Sequence, residues 1–387
     1  MKTSLFYLPS IGSRADIEKG MAGLSRPLYQ KMLKELTQQA QHADHLGYDS
    51  ISFTEHHFHI EGFEISNNPV LLDLFIAMQT KRIRVGQLGI VLPANNPLRV
   101  AEDIAMLDHM SGGRACAGFA RGYQRRWVDI MAQQGHGLRG VDVGVHDQVD
   151  AANRAAFEEC FQIIKKAWTQ DMLQVSGDFW KVPAGETPWK LEATQRYGAG
   201  IENGIVKAVG SVPKPLQEPH SPIFQPFASS PNSIRWCAKE GVTAVLPPLH
   251  PVLEQRLVDL YAQVSGRAPG DGIGLLRDVI IADTDEEAMS LWADSGRYVN
   301  ESWFAPFGFD QGILHPDTRE RPSDLELFDS SFVLVGTVDS VTRQLEKLVR
   351  RLPAKWLFAW IYNGLIPHGK LMKSLELFST KVLPRIA

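Results

Sequence analysis

The sequence predicts a (β/α)8 barrel, and three observations carry that reading. Eight short β-type runs each precede a helical pattern, which suits a closed parallel barrel better than an open sheet. The first run continues into Leu8-Pro9-Ser10-Ile11-Gly12. That is not the Gly-x-Gly-x-x-Gly phosphate turn that a doubly wound nucleotide-binding fold needs there. The length of 387 residues fits one large barrel as well as two ordinary domains.

Taken in order, Ser4 to Leu8 reads as the first strand. Met32, Leu36, Ala40 and Ala43 then recur at helical spacing, and Gly47 offers a C-terminal stop. Ser50 to Thr54 is the second strand, followed by a helix from Val70 to Gln79. Ile83 to Leu92 is the third, with a helix from about Leu98 to Met110. Ala115 to Phe119 is the fourth, and Asn153 to Trp168 is a long amphipathic helix. The rhythm resumes with strand Pro222 to Ala228, helix Ser230 to Glu240 and strand Val242 to Leu246. Helix Leu253 to Val264 and strand Leu275 to Ala282 follow. "ADTDEEA" predicts a capping box, with Thr284 as N-cap and Glu287 three residues on. The last pair is strand Trp356 to Ile361 and helix Lys370 to Val382. Residues 170–221 and 300–331 break the rhythm and are rich in Pro, Gly and aromatics. The expected organisation is therefore a single domain over residues 1–387 with two insertions, of the kind that serve as lids or binding loops.

Composition narrows the class. Hydrophobic residues make up 44% and charged residues 22%, as in a soluble globular protein. The net charge of −4 is spread without long like-charge blocks, so no nucleic-acid surface is expected. Three scattered cysteines, Cys116, Cys160 and Cys237, read as reduced thiols. Neither the N-terminus nor the run Trp356 to Ile361 is long and apolar enough for a signal peptide or a membrane span. The expectation is a cytoplasmic protein with no membrane partner.

Barrel chemistry sits where strands end at the C-terminal mouth. Glu55 and His56, in "TEHHFHIEGFE", fall at that end of the second strand. A histidine there can act as acid or base near neutral pH. Two other readings stand beside it: a structural histidine pair, and a metal site. The metal reading is set aside, because His56 and His57 diverge on an extended chain and no further ligand is evident in sequence spacing. Arg121, in "FARGYQRR", follows the fourth strand and can grip a phosphate in fork geometry, or simply pair with a carboxylate. Ser230-Pro231 is a helix start, with Ser233 one turn in, and offers an anion either free N–H groups or nothing more than a good cap.

Together "EHHF", "GIVLPANNPLRVAEDIAMLDHMSGGRACAGFARGY" and "VGTVDSV" resemble the bacterial luciferase family of flavin-dependent monooxygenases. The likeness is dense from about Gly47 to Tyr123 and returns at Phe227 to Gly241 and Val335 to Pro384. It implies the following roles. His56 matches the catalytic histidine, Arg121 the arginine on the FMN phosphate, and Arg154 a second one. Ser230 and Ser233 match hydroxyls at that phosphate. Leu88-Gly89 matches a non-proline cis peptide against the flavin ring. The departures are Ala120 for a reactive cysteine, Tyr123 for a leucine near the ring, Ser229 for a glutamate, and about a dozen extra residues between Arg121 and Arg154.

The activity implied is that of a two-component monooxygenase and homodimer. Reduced FMN, delivered by a separate NAD(P)H-dependent flavin reductase, would react with O2 to give a C4a-hydroperoxide. That species would transfer one oxygen to a small organic substrate. The 300–331 insertion, with Trp303, Phe304, Phe307 and Phe309, is expected to be a mobile lid. Two rivals stand: hydride transfer with a deazaflavin (F420), and a non-catalytic subunit. Arg125 and Arg126 would suit the acidic deazaflavin tail, whereas Asp129, Asp142, Asp147 and Asp150 would oppose it.

Overall fold

Parallel pairing of short, apolar strands organises the chain. The structure, a computed structural model, describes residues 1–134 and 137–386. They fall into two compact units, Met1–Gly89 with Ile223–Ala387, and Ile90–Pro222.

The first unit holds a continuous run of parallel strands. Ile223–Gln225 pairs with Thr243–Leu246, which pairs with Ile273–Ile281 and then Trp356–Ile361. Next come Lys2–Tyr7, Ser50–Phe53 and Arg84–Gln87. Strand one registers Lys2 on Trp356 and Tyr7 on Ile361. Both faces are covered: Leu5, Phe6, Tyr7, Ile51, Phe53 and Leu357 are fully buried. This is why these strands read as unbroken apolar runs rather than as alternating ones. In the second unit, Ala115–Ala120 pairs in parallel with the two-residue strand Ile90–Val91. With Ala115–Ala120 counted, the described residues supply the eight parallel strands of a (β/α)8 barrel, as predicted.

The helices follow from their sequence signals. Arg26–Leu46 starts at the Ser25 cap with Pro27 in its first turn, buries Met32, Leu36, Ala40 and Ala43, and stops at Gly47, whose φ of 83° is left-handed. Gln148–Thr169 begins five residues before the predicted Asn153, because Asp147 caps it by accepting from the Asp150 N–H.

Several expectations need correction. The third run is not one strand: Arg84–Gln87 and Ile90–Val91 are separated by a cis Leu88–Gly89 peptide. Thr284 caps its helix, but Glu287 does not return the bond; it pairs with Lys370 at 2.5 Å instead. Within residues 170–221, where the rhythm breaks, lie the short hairpins Val175–Ser176 with Lys181–Val182 and Ile201–Glu202 with Ile205–Val206. Residues 300–331 are largely short helical turns, from Asn300–Phe304 to Asp324–Asp329. Among the elements that went unread are the strand Leu334–Gly336, which pairs with Val279–Ile281, and the helices Arg125–Met131 and Val338–Arg351. Among the described residues no helix is long and apolar enough to cross a membrane.

Candidate active site

In the first unit, the chain leaving Ser50–Phe53 folds back on itself. The His56 N–H donates to the Ser66 carbonyl at 3.0 Å, and the Ser66 hydroxyl donates to the Thr54 carbonyl at 2.5 Å. The Ile65 N–H ties the returning limb to the Pro9 carbonyl at 2.7 Å. Three residues with positive φ make the reversal: Phe58 at 63°, Gly62 at 107° and Glu64 at 58°. For Phe58 and Glu64 that conformation is costly, and the bonds around them hold it.

The reversal drives Glu64 back against the histidines. Its Oε2 lies 3.5 Å from His56 Nδ1 and 3.3 Å from His59 Nδ1, and the two imidazole centroids are 5.5 Å apart. Exposure is 7% for His56, 6% for His59 and 1% for Glu64, so water does little to screen the three. His57 points elsewhere, to Glu55 at 3.1 Å. The adjacent histidines therefore diverge, as the sequence implied. What sequence spacing did not show is that His59 and Glu64 converge on His56, all three contact atoms lying within 4.8 Å of one another. Trp303 stacks on His59 with centroids 6.2 Å apart, and Phe63 packs on Trp303 at 5.3 Å. Phe304 sits among Phe63, Phe227, Phe309 and Trp360. The 300–331 insertion is thus anchored by buried rings.

Also in this unit, Ser230 caps Pro231–Glu240, with its hydroxyl oxygen accepting from the Ser233 N–H at 3.2 Å. The Ser230 hydroxyl donates to Ser233 Oγ at 3.1 Å. The capping that the sequence foretold is present, and it uses one of the N–H groups an anion would want. At the end of the third strand, the Leu88 N–H donates to the Phe53 carbonyl at 2.7 Å, just ahead of the cis bond.

In the second unit, Arg121 follows Ala115–Ala120 and pairs with Asp150, Nη1 to Oδ1 at 2.7 Å. The Asn153 amide donates to the carbonyls of Arg121 at 3.1 Å and Arg139 at 3.0 Å, which fixes the strand exit. Burial pushes the Asp150 carboxyl up, but its bond with Arg121, together with His146 and Arg154, outweighs that and holds it below the usual range. Burial and the Arg121 charge push Arg154 down, against the pull of Asp150 and Glu158. Arg121 and Arg154 thus lie near one another, with Asp150 acting on both and Glu158 acting on Arg154 as well. Sequence reading named both arginines but treated Asp150 only as part of an acidic stretch. Tyr123 is half-buried and accepts from the Gln124 amide at 2.9 Å. Arg125 is partly neutralised by Asp142 at 3.5 Å.

Comparison with known proteins then fixes the family. A profile described as luciferase-like monooxygenase matches residues 16–354. The chain belongs to that family. Among relatives of this luciferase-like protein, the oxygenase component of the flavin-dependent trigonelline monooxygenase of Acinetobacter baylyi is 26% identical over 305 residues. That match covers 74% of this chain and 73% of the relative. Among solved structures, the oxygenating constituent of 3,6-diketocamphane monooxygenase from Pseudomonas putida, in complex with FMN, matches with a TM-score of 0.74 and 22% identity. It covers 100% of this chain and 99% of that one. The coenzyme F420-dependent tetrahydromethanopterin reductase of Methanopyrus kandleri matches with a TM-score of 0.61 and 16% identity, covering 100% and 99%. At such identities the two structures speak for the (β/α)8 fold.

Proposed function

We propose that this luciferase-like protein is the oxygenase component of a two-component monooxygenase that uses reduced FMN and O2 to place one oxygen atom on a small organic substrate. Family membership and the trigonelline relative support the reaction class. The observation that supports the flavin choice is the proximity of the Arg121 and Arg154 guanidinium groups at the exit of Ala115–Ala120, fork-shaped donors of the kind that grip a single phosphate. A longer acidic tail would want a broader basic surface, and Asp142 already occupies Arg125.

Reduced FMN, when bound, supplies the activation of oxygen. The protein's part is to bind, orient, dry and handle protons. Arg121 and Arg154 would hold the phosphate, with Ser230 and Ser233 at the capped helix start as further donors. Leu88 and Tyr123 would flank the ring. His56, whose Nδ1 lies 3.5 Å from Glu64 Oε2, would exchange a proton with the reacting centre. The aromatic packing of Trp303 and Phe304 would keep water out. On the same reading the chain acts as one barrel domain with two insertions, as a cytoplasmic homodimer served by a separate NAD(P)H-dependent reductase.

Three measurements test this. His56→Ala should retain flavin binding while product formation falls by about 100-fold or more, the scale of acid–base help; near-normal turnover would remove the role. Arg121→Ala should weaken reduced FMN by roughly 2–3 kcal/mol and leave riboflavin binding unchanged. An equal loss for riboflavin would show that Arg121 acts through folding. Tighter binding of a reduced deazaflavin than of FMN, in the same anaerobic titration, would replace oxygen transfer by hydride transfer.

A further inference from the structure

We propose that His250 and His315 form a pH-sensitive clasp, closed while both rings are neutral, that holds the insertion around Gly312 onto the turn before helix Pro251–Ser265. The clasp lies within the first unit and uses none of the residues assigned to flavin or to proton transfer. It goes beyond the oxygenase reading and can be tested without turnover.

The hydrogen bonds fix the state of both rings. His250 caps helix Pro251–Ser265, its Nδ1 accepting from the Val252 N–H at 3.2 Å. His315 Nδ1 accepts from the N–H groups of Asp317 at 3.3 Å and Thr318 at 3.2 Å. A ring nitrogen that accepts carries no proton, so each imidazole is neutral with its hydrogen on Nε2. The two half-buried rings meet edge to face, with centroids 4.7 Å apart and an angle of 74° between planes. Beside them the His250 N–H donates to the Gly312 carbonyl at 2.9 Å. A Cβ on Gly312 would lie 2.5 Å from the Leu249 side chain, so the insertion sits directly on this turn.

Protons undo such a clasp. Protonation turns each Nδ1 from acceptor into donor, facing backbone N–H groups that are themselves donors. The cap of one helix and the turn at 315–318 then fail together. Two imidazolium rings in contact also repel.

The charges around the pair come from several elements. Burial pushes the His250 imidazole down, and the His315 ring and Arg351, on helix Val338–Arg351, push the same way. Glu254, on the helix that His250 caps, and Glu326, on Asp324–Asp329, pull it up without reversing the shift. Glu254 is itself held by Arg277 and Arg351. Next to His315, Asp317 is paired with Arg256 at 2.5 Å, and Glu320 accepts from the Thr318 hydroxyl at 3.1 Å.

The sign of the pH effect follows. In the open form each ring returns to the ordinary imidazole value of about 6.5. Between that value and the lowered one, the open form binds more protons than the closed form. Closure is therefore complete above about pH 6.5 and is lost as pH falls below it. Phe309, three residues before Gly312, packs on Phe304 and Phe227, so release of the clasp slackens the aromatic cover in acid.

The test is amide hydrogen exchange of the full-length protein without flavin, corrected for the intrinsic pH dependence of exchange. Between about pH 7.5 and pH 5.5 the opening of residues 309–320 should rise by up to about tenfold for each ring that must be neutral to close. Lys2–Tyr7 should show no such change. Asparagine offers the same acceptor to the following N–H groups and does not titrate. The double variant His250→Asn with His315→Asn should therefore stay closed at both pH values. Circular dichroism verifies its folding. Should it not fold, proton NMR of the wild type and of His315→Asn decides: the His250 midpoint should lie below about 6.5 and rise when His315 is replaced. Equal corrected exchange at the two pH values, or the same acid opening in the double variant, would overturn the clasp. So would a His250 midpoint that does not respond to His315→Asn. No flavin or substrate enters these measurements, so failure of the oxygenase reading would leave the clasp standing.

Discussion

Replacing Phe304 by alanine measures how firmly the segment over residues 300–331 is latched. Phe304 is 3% exposed and has four aromatic neighbours in its unit: Trp360 at 5.3 Å, Phe309 at 5.5 Å, Phe227 at 6.4 Å and Phe63 at 6.5 Å. Truncating a phenylalanine at such a site costs roughly 3–5 kcal/mol, from lost transfer energy and the cavity left behind. If the segment opens as a unit, that loss falls on its closed form alone. Even the lower figure raises the opening equilibrium by about 100-fold. Amide hydrogen exchange reads this directly. The Gly308 N–H, bonded to Ala305, and the His250 N–H, bonded to the Gly312 carbonyl, should exchange about 100-fold faster. Amides of Lys2–Tyr7 should keep their relative protection. Uncoupled peroxide release should rise in parallel. Unchanged exchange at Gly308 and His250, with a lowered melting temperature, would make Phe304 ordinary core and refute the latch.

Two predictions concern the scaffold. Arg277 is fully buried, with Nη2 on Glu254 at 2.5 Å and Nε donating to the Ser331 carbonyl at 2.9 Å. Arg277→Leu should cost about 3–5 kcal/mol in urea unfolding, because it takes from the buried Glu254 carboxylate one of two guanidinium partners and leaves it Arg351 and the Leu249 N–H; a loss under about 1 kcal/mol would show that these suffice. Burial pushes the Asp44 carboxyl up, but the N–H groups of Lys81, Ile83 and Arg82 outweigh it and hold it below the usual range. A depressed carboxylate stabilises the fold above the ordinary carboxylate range, and that contribution is lost as pH falls through the depressed value. Asp44→Asn should therefore flatten the acid limb of stability against pH. Parallel curves for the two proteins would show no linkage.

The barrel was legible because strands buried on both faces leave continuous apolar runs, as in "WLFAWI". The ends of helices were legible where a residue type fixes the backbone, such as Gly47 and the Ser230-Pro231 start. The helix Val338–Arg351 was also legible and went unread: Val341, Leu345 and Leu348 recur at helical spacing, and all are buried. The break in the third strand was not legible in apolar pattern, since a backbone isomer leaves hydropathy unchanged; only the family resemblance pointed to it. Glu64 was out of reach for a different reason. It lies eight positions after His56, and their approach depends on positive φ at residues whose types do not advertise it. Asp150 was visible, but summing its charge with its neighbours hid the one bond that matters, to Arg121.

The fork in strand Ile273–Ile281 has an implication for how this protein can diversify. Val279–Ile281 pairs with Leu334–Gly336, so everything between Ala282 and Val333 leaves and rejoins the sheet at one hydrogen-bonded seam. Closing a chain segment between fixed ends costs only about 0.6 kcal/mol more for each doubling of its length. Added length is therefore cheap at exposed turns of the excursion, while the seam, the buried Phe304 contacts and the Arg277–Ser331 bond are what any change in it has to keep.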